Sequence, residues 1–362
     1  MIRFWLAIAV VFAHMGPLYG FHMMDGRTAV QMFFVISGFY TALILSEKYP
    51  TGREGVLLFY GNRFLRIFPS YWLVLALSVI IGLLEVHWGG MFHTFGAVRS
   101  WIERASTLPA DALAYMVLSN LFLFGMDWGY FLVIGQDGLA WSANSLVAGN
   151  GRLDFFAPVP QAWALGLECA VYVVAPFLFR ARTAVIVAVI VGSLALRETA
   201  LHYGATFDPW TYRLLPFEIC FFLFGVLSYR IYRGVGTAAL RPYALPGFLA
   251  LLASVVLYKW SPGAVPAVLG FDPRAVQGFV LLTLLMPFVF AATKSNRLDK
   301  LLGDMSFPIY LIHVLLIPLI GSDTERQRSV VLLATLIASG LMIKVIEIPI
   351  DRFRQRRVAA LA

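Results

Sequence analysis

At 362 residues, 60% hydrophobic and only 13% charged, the chain departs from soluble domains, in which about a quarter of residues carry charge. Its mean hydropathy of +0.79 identifies a polytopic membrane protein. The net charge of +8 is no nucleic-acid footprint, because the basic residues form short clusters between apolar runs, as the positive-inside rule arranges them.

Crossing a hydrocarbon core of about 30 Å takes roughly 17–25 apolar residues. Stretches of that kind lie at 4–22, 28–46, 68–87, 161–179, 183–201, 212–229, 243–260, 275–293, 307–321 and 329–350. The fold class expected is therefore all-α, with about ten transmembrane helices. Basic clusters follow every second span: Lys48 to Arg66, Arg180 and Arg182, Arg230 to Arg241, Lys294 to Lys300, and Arg352 to Arg357. Placing all of them in the cytoplasm puts both termini there and requires an even number of spans. Counting 111–125 as a span would break that pattern. Residues 88–160 thus read as one long extracytoplasmic excursion, with 111–125 a short interfacial or re-entrant helix. Residues 1–350 form one transmembrane domain and 351–362 a basic cytoplasmic tail. His14 interrupts the first apolar run and no cleavage site follows, so that segment is expected to be retained. Cys169 and Cys220 sit inside apolar runs and indicate neither a disulfide framework nor a zinc site.

Candidate chemistry appears in chain order. Arg3 and His14 are eleven residues apart, close to three helical turns, and so share a face roughly 16 Å apart. Intramembrane ionisable groups cost about 2.5–3.5 kcal/mol and mark function by default. A flanking arginine and a hydrogen-bonded packing histidine fit this pair equally well. The second span holds Gln31 and Ser37 as possible cavity-lining groups and Gly38 as a packing residue. Arg63 and Arg66, three apart in a short interfacial helix ended by Pro69, are either topology-setting arginines or a phosphate clamp. Glu168 is the only acid in the fourth span, at a depth matching His14, which makes the two candidate partners. In the ninth span Tyr310 and His313 share a face, with Ser306 one turn earlier. Glu347, Pro349 and Asp351 close the tenth span near the cytoplasm, where Asp351 reads as a charged helix terminus. His22, His87, His93 and His202 fall in loops without metal-ligand spacing, and no metal site is expected.

Taken in order, these residues resemble the acyltransferase-3 family of integral membrane enzymes. The shared features are Arg3 and His14 with ten residues between them, and FFVISGF with its preceding glycine (Gly26 to Phe39). RFLRIFPSYW (Arg63 to Trp72), W-x-L-x-x-E-x-x-x-Y (Trp163 to Tyr172) and S-F-x-x-Y-L-x-H (Ser306 to His313) complete the set. The chain departs from the family in having two residues ahead of Arg3, which suggests a truncated start, and in Ala164 and Phe307, where serine and tyrosine are common. The resemblance implies a stand-alone acyltransferase of the bacterial inner membrane, without a fused extracytoplasmic hydrolase-like domain. It further implies transfer of an acyl group, by default acetyl, from cytoplasmic acyl-coenzyme A to a hydroxyl of a surface or lipid-linked glycan. Acyl-coenzyme A is then a co-substrate rather than a tightly bound cofactor, and the partners are the glycan or glycolipid acceptor and membrane lipid. In that scheme Arg63 and Arg66 hold coenzyme A phosphates, with Arg3 near the pantetheine path. His14 acts as general base, Glu168 orients it, and Ser37, Gln31, Tyr310 and His313 are acceptor-site or oxyanion candidates. The rival reading is a proton-coupled transporter or flippase using His14 and Glu168 as a relay; a non-catalytic envelope scaffold is a third.

Overall fold

A computed structural model describes residues 1–88 and 96–360. Among these residues nine helices are long and apolar enough to cross a membrane. With the shorter first helix, α1 (Ile2–Met15), the bundle has the ten members expected. The stripe Leu333, Ile337, Leu341 and Val345 is exposed at helical spacing, which lipid rather than water explains.

Local chemistry sets the ends. Gly16, at φ 89°, stops α1 well short of the expected boundary at 22, because a left-handed residue followed by Pro17 cannot continue the helix. His14 therefore lies one residue from the helix end. Asp25 caps α2 (Gly26–Glu47) by accepting from the Thr28 amide at 2.9 Å. α2 crosses α8 (Leu215–Val235) with the backbones in contact: a Cβ on Gly38 would fall 1.9 Å from the Phe222 carbonyl oxygen, and one on Gly225 2.0 Å from that of Val35. Gly38 is a packing residue, as its position suggested.

α3 (Arg53–His87) corrects the sequence reading. It is one 35-residue helix, about 52 Å long, that carries Arg63 and Arg66 straight into the third span. Pro69 does not divide it, because Glu347 accepts from both Arg66 and Ser70 and ties the turns on either side.

The excursion holds α4 (Gly96–Arg104), α5 (Ala110–Phe122) and a two-stranded antiparallel hairpin of β1 (Leu132–Ile134) and β2 (Leu139–Trp141). α5 has 13 residues, too few to cross alone, and its last turn accepts hydrogen bonds from Tyr71 and Trp72 midway along α3. His93 lies outside the described residues.

The remaining helices are α6 (Trp163–Leu178), α7 (Thr183–His202), the short α9 (Thr237–Leu240), α10 (Ala244–Val256) and α11 (Pro273–Thr293). They are joined by α12 (Arg297–Ile320), α13 (Glu325–Met342) and α14 (Ile348–Ala359). A π-turn at Ile343–Glu347 joins the last two, so the expected basic tail is helical. α1 and α12 run parallel: the terminal ammonium meets Asp299 at 2.5 Å and His14 meets His313 at 3.1 Å. Arg180 donates to the Leu45 and Tyr49 carbonyls and Arg230 to that of Phe179, which gathers the basic loops at one end of the bundle.

Candidate functional site

Inside the basic end lies a partly enclosed cavity between α1, α2, α3, α6 and α12. Arg3, Arg63 and Arg66 line it together with Ser37, Tyr40, Glu168, Tyr172, Ser306 and Tyr310, and apolar side chains such as Phe33, Phe34 and Ile67 fill the intervening wall. All five motifs singled out in the sequence thus send side chains to one space with a cationic end and a largely apolar body. His14, the second residue of the first motif, does not line it.

The arginines differ in their engagement. Arg66 is ion-paired with Glu347 and lies over the Phe307 ring at 5.4 Å. Arg63 is held between the rings of Phe59 and Tyr172, at 5.6 and 5.3 Å, and its Nε is buried without a hydrogen-bond partner. Among the described residues no carboxylate comes within ion-pair distance of Arg3 or Arg63. Of the two arginines expected to act as a clamp, Arg66 is already matched by an acid, whereas Arg63, like Arg3, has no ion-paired acid among the described residues.

Glu168 accepts from the hydroxyls of Ser37 and Tyr172, the latter at 2.5 Å. It belongs to the arginine cavity, on the same side as Arg63, and is not the hydrogen-bond partner of His14. That pairing, expected from matched depth, fails because α1 packs on α12 rather than on α6. The partner of His14 is His313, at 3.1 Å with ring centroids 5.0 Å apart. Their hydrogen bonds assign one consistent set of tautomers. His313 Nδ1 donates to the Ile309 carbonyl at 3.1 Å, leaving its Nε2 as acceptor. His14 Nδ1 then donates to that nitrogen, and also lies 3.0 Å from the Val10 carbonyl. The lone pair of His14 Nε2 stays free on the exposed side of the helix end, while His313 is fully buried.

Other candidates are otherwise engaged. Gln31 does not reach the cavity: fully buried, it donates to both oxygens of Glu218 at 3.0 Å. Ser37 gives its proton to Glu168, and Tyr310 gives its own to the Gln161 carbonyl at 2.6 Å, so neither hydroxyl is a free oxyanion donor in this arrangement. Tyr310 nonetheless links the lining to the histidines, its ring centroid 6.2 Å from that of His313. Sequence reasoning missed the role of Glu347 in holding Arg66, although its acid-in-apolar context was visible. It also missed Arg213, which stacks against Tyr130, Trp163 and Tyr212 at 4.0–4.7 Å. Among the described residues no group of three or more His, Cys, Asp or Glu side chains could hold a metal ion.

A family model described as an acyltransferase domain, of the acyltransferase-3 type, matches residues 1–345 of the chain. No curated protein and no solved structure matches it.

Proposed function

The chain belongs to the acyltransferase-3 family and is a membrane acyltransferase, and from that premise we propose that it moves an acyl group, acetyl in the simplest case, from coenzyme A to a hydroxyl of a cell-envelope glycan or glycolipid. One observation carries the reading. A cavity has unpaired guanidinium groups at one end, an apolar body, and Tyr310 one helical turn from the His313–His14 pair. A long, phosphate-headed, thioester-tailed donor has that same order of polarity.

In this scheme Arg3 and Arg63 take the diphosphate, for which planar multi-donor groups are suited. The pantetheine arm follows Phe33, Phe34 and Ile67 toward Tyr310. The acceptor hydroxyl approaches His14 from the opposite end of the bundle. His14 Nε2 removes its proton, and the alkoxide oxygen bonds to the thioester carbonyl carbon. The carbon–sulfur bond then breaks, and the departing thiolate takes the proton from His14. Throughout, the bond from His14 Nδ1 to His313 fixes the imidazole and supports its cationic form, the task expected of Glu168. Glu168, Ser37 and Tyr172 instead shape the wall beside Arg63.

Incubation of the purified protein with radiolabelled acetyl-coenzyme A and membrane glycans tests the proposal. Wild type is expected to label the glycan, and His14→Ala to lower the rate about a hundredfold or more. Because His14→Ala also strands the buried acceptor nitrogen of His313, at about 1–3 kcal/mol, an unfolding curve of the same preparation accompanies the assay and should show a protein still folded at the assay temperature. His313→Gln should lower kcat while leaving the KM for the donor unchanged. Full transfer by His14→Ala would remove the base from the scheme, and a wild type that moves protons without transferring label would favour the transporter reading.

A further inference from the structure

α14 lies beyond the stretch matched by the family, yet it is seated on the basic end of α3. Two anchors fix it. Just before its first turn Glu347 holds Arg66 and Ser70, and near its end Arg357 donates to the Asn62 side chain at 3.1 Å. A guanidinium nitrogen of Arg357 also comes within 2.7 Å of the place a Cβ on Gly61 would occupy, so any side chain there would displace this guanidinium. Glu347 and Arg357 straddle the turn of α3 that carries Arg63 and Arg66. Arg354, one turn before Arg357, is thereby set beside that turn, within electrostatic reach of both arginines.

Arg354 is mostly enclosed, its side chain 14% exposed, and its Nε is buried without a partner. Its one carboxylate, Asp351 on its own helix, stands at 3.4 Å and also accepts from Gln355 at 2.6 Å. Five guanidinium groups (Arg3, Arg63, Arg66, Arg354 and Arg357) thus meet at this end. The acids facing them are Glu168, Asp304, Glu347 and Asp351, of which only Glu347 and Asp351 come within ion-pair distance of any of the five among the described residues. Like charges held together in partly enclosed surroundings repel unless a counter-charge arrives.

We propose that Arg354, carried on the C-terminal helix, completes the donor site by binding the 3′-phosphate monoester of the coenzyme A nucleotide. The assignment follows from position. Arg3 and Arg63 line the cavity and would meet the diphosphate, whereas Arg354 is not part of the lining but sits on the helix packed against α3 beside it, where a nucleotide extending out of the cavity would place its ribose phosphate. It rests on the donor reading above. An anionic lipid headgroup offers the same phosphate chemistry and is the competing source.

The test uses the full-length protein in neutral phosphatidylcholine nanodiscs. Binding of acetyl-coenzyme A is compared with binding of its 3′-dephospho form. Wild type should prefer acetyl-coenzyme A at least tenfold. Arg354→Gln should erase that preference by weakening acetyl-coenzyme A alone, and Arg354→Lys, which keeps the charge but not the fork, should retain part of it. An Arg354→Gln protein with the preference intact, or equally weakened toward both ligands, overturns the assignment. So does loss of the wild-type preference on adding phosphatidylglycerol, which would give the arginine to lipid. Wild type that binds neither ligand sinks the donor reading itself, and wild type that binds both equally sinks only the tail subsite.

Discussion

Two buried arginine clusters divide the bundle between packing and function. Arg197 on α7 is 1% exposed and faces the fully buried Glu218 at 3.5 Å. Gln31 donates to the same carboxylate, the Leu269 carbonyl accepts from Arg197 Nε at 2.9 Å, and the Phe271 ring covers the guanidinium at 3.9 Å. Arg63 is also stacked on rings, but among the described residues no carboxylate pairs with it, and it lines the cavity. A buried cation facing its acid and covered by a ring belongs to the packing, even with two of its nitrogens left without hydrogen bonds. One with rings, no ion-paired acid among the described residues and an adjoining cavity fits the anion site proposed above. Gln31 shows how sequence alone confuses the two. It shares a helix with Ser37, yet its side chain belongs to the first cluster and that of Ser37 to the second.

The largest effect should come from breaking the packed cluster. Glu218→Ala leaves Arg197 buried without its acid, a loss of about 3–5 kcal/mol when one partner of a buried pair is removed. Thermal unfolding in detergent should show it as a large fall in melting temperature. Donor affinity in the protein that remains folded should be near that of wild type, since Glu218 lines no part of the cavity. Early loss of donor binding with unchanged melting would reverse the roles assigned to the two clusters.

The converse change, Arg63→Ala, should act on binding. Hydrogen bonds to a charged group contribute about 1.5–3 kcal/mol, so donor affinity should fall roughly ten- to a hundredfold. No ion-paired acid is stranded by the substitution, and the melting temperature should move by only a few degrees. Titration calorimetry with acetyl-coenzyme A, beside an unfolding curve of the same preparation, separates the two effects. A variant that melts early and binds normally would make Arg63 a second Arg197.

What could be read in advance follows the same division. Span number and basic clusters come from composition and counting, and both were legible. So was the gathering of Arg63 and Arg66 at the basic end, because position along a helix can be counted at 1.5 Å per residue. Rotation about the helix axis and choice of neighbour cannot be counted in that way. Counting set Glu168 level with His14, but Glu168 lies in the cavity with Arg3 and Arg63, and the side chain that reaches His14 comes from 299 residues away on α12. Pro69 looked like a boundary because proline breaks an isolated helix. Inside the bundle Glu347 joins the turns that flank it. The early end of α1 was legible in Gly16 and Pro17, whose signal was outweighed by the apolar run beyond them.

A third buried charge lies outside the spans and sharpens the comparison at its weakest end. Asp127, in the loop after α5, is 1% exposed, and its Oδ2 has no partner. Burial pushes its carboxyl up to about 7. An unfolded aspartate loses its proton near pH 4, so between about pH 4 and 7 the native state holds a proton that the unfolded chain has released. Stability should therefore decline as pH rises through that window and level off above it. Asp127→Asn keeps the shape and abolishes the titration. It should flatten the decline and melt a few degrees above wild type at pH 8, with little difference at pH 4. An unchanged slope would mean that the carboxylate is ionised where it lies and matched by a cation. Asp127 would then belong with Glu218, among the acids that the packing has already answered.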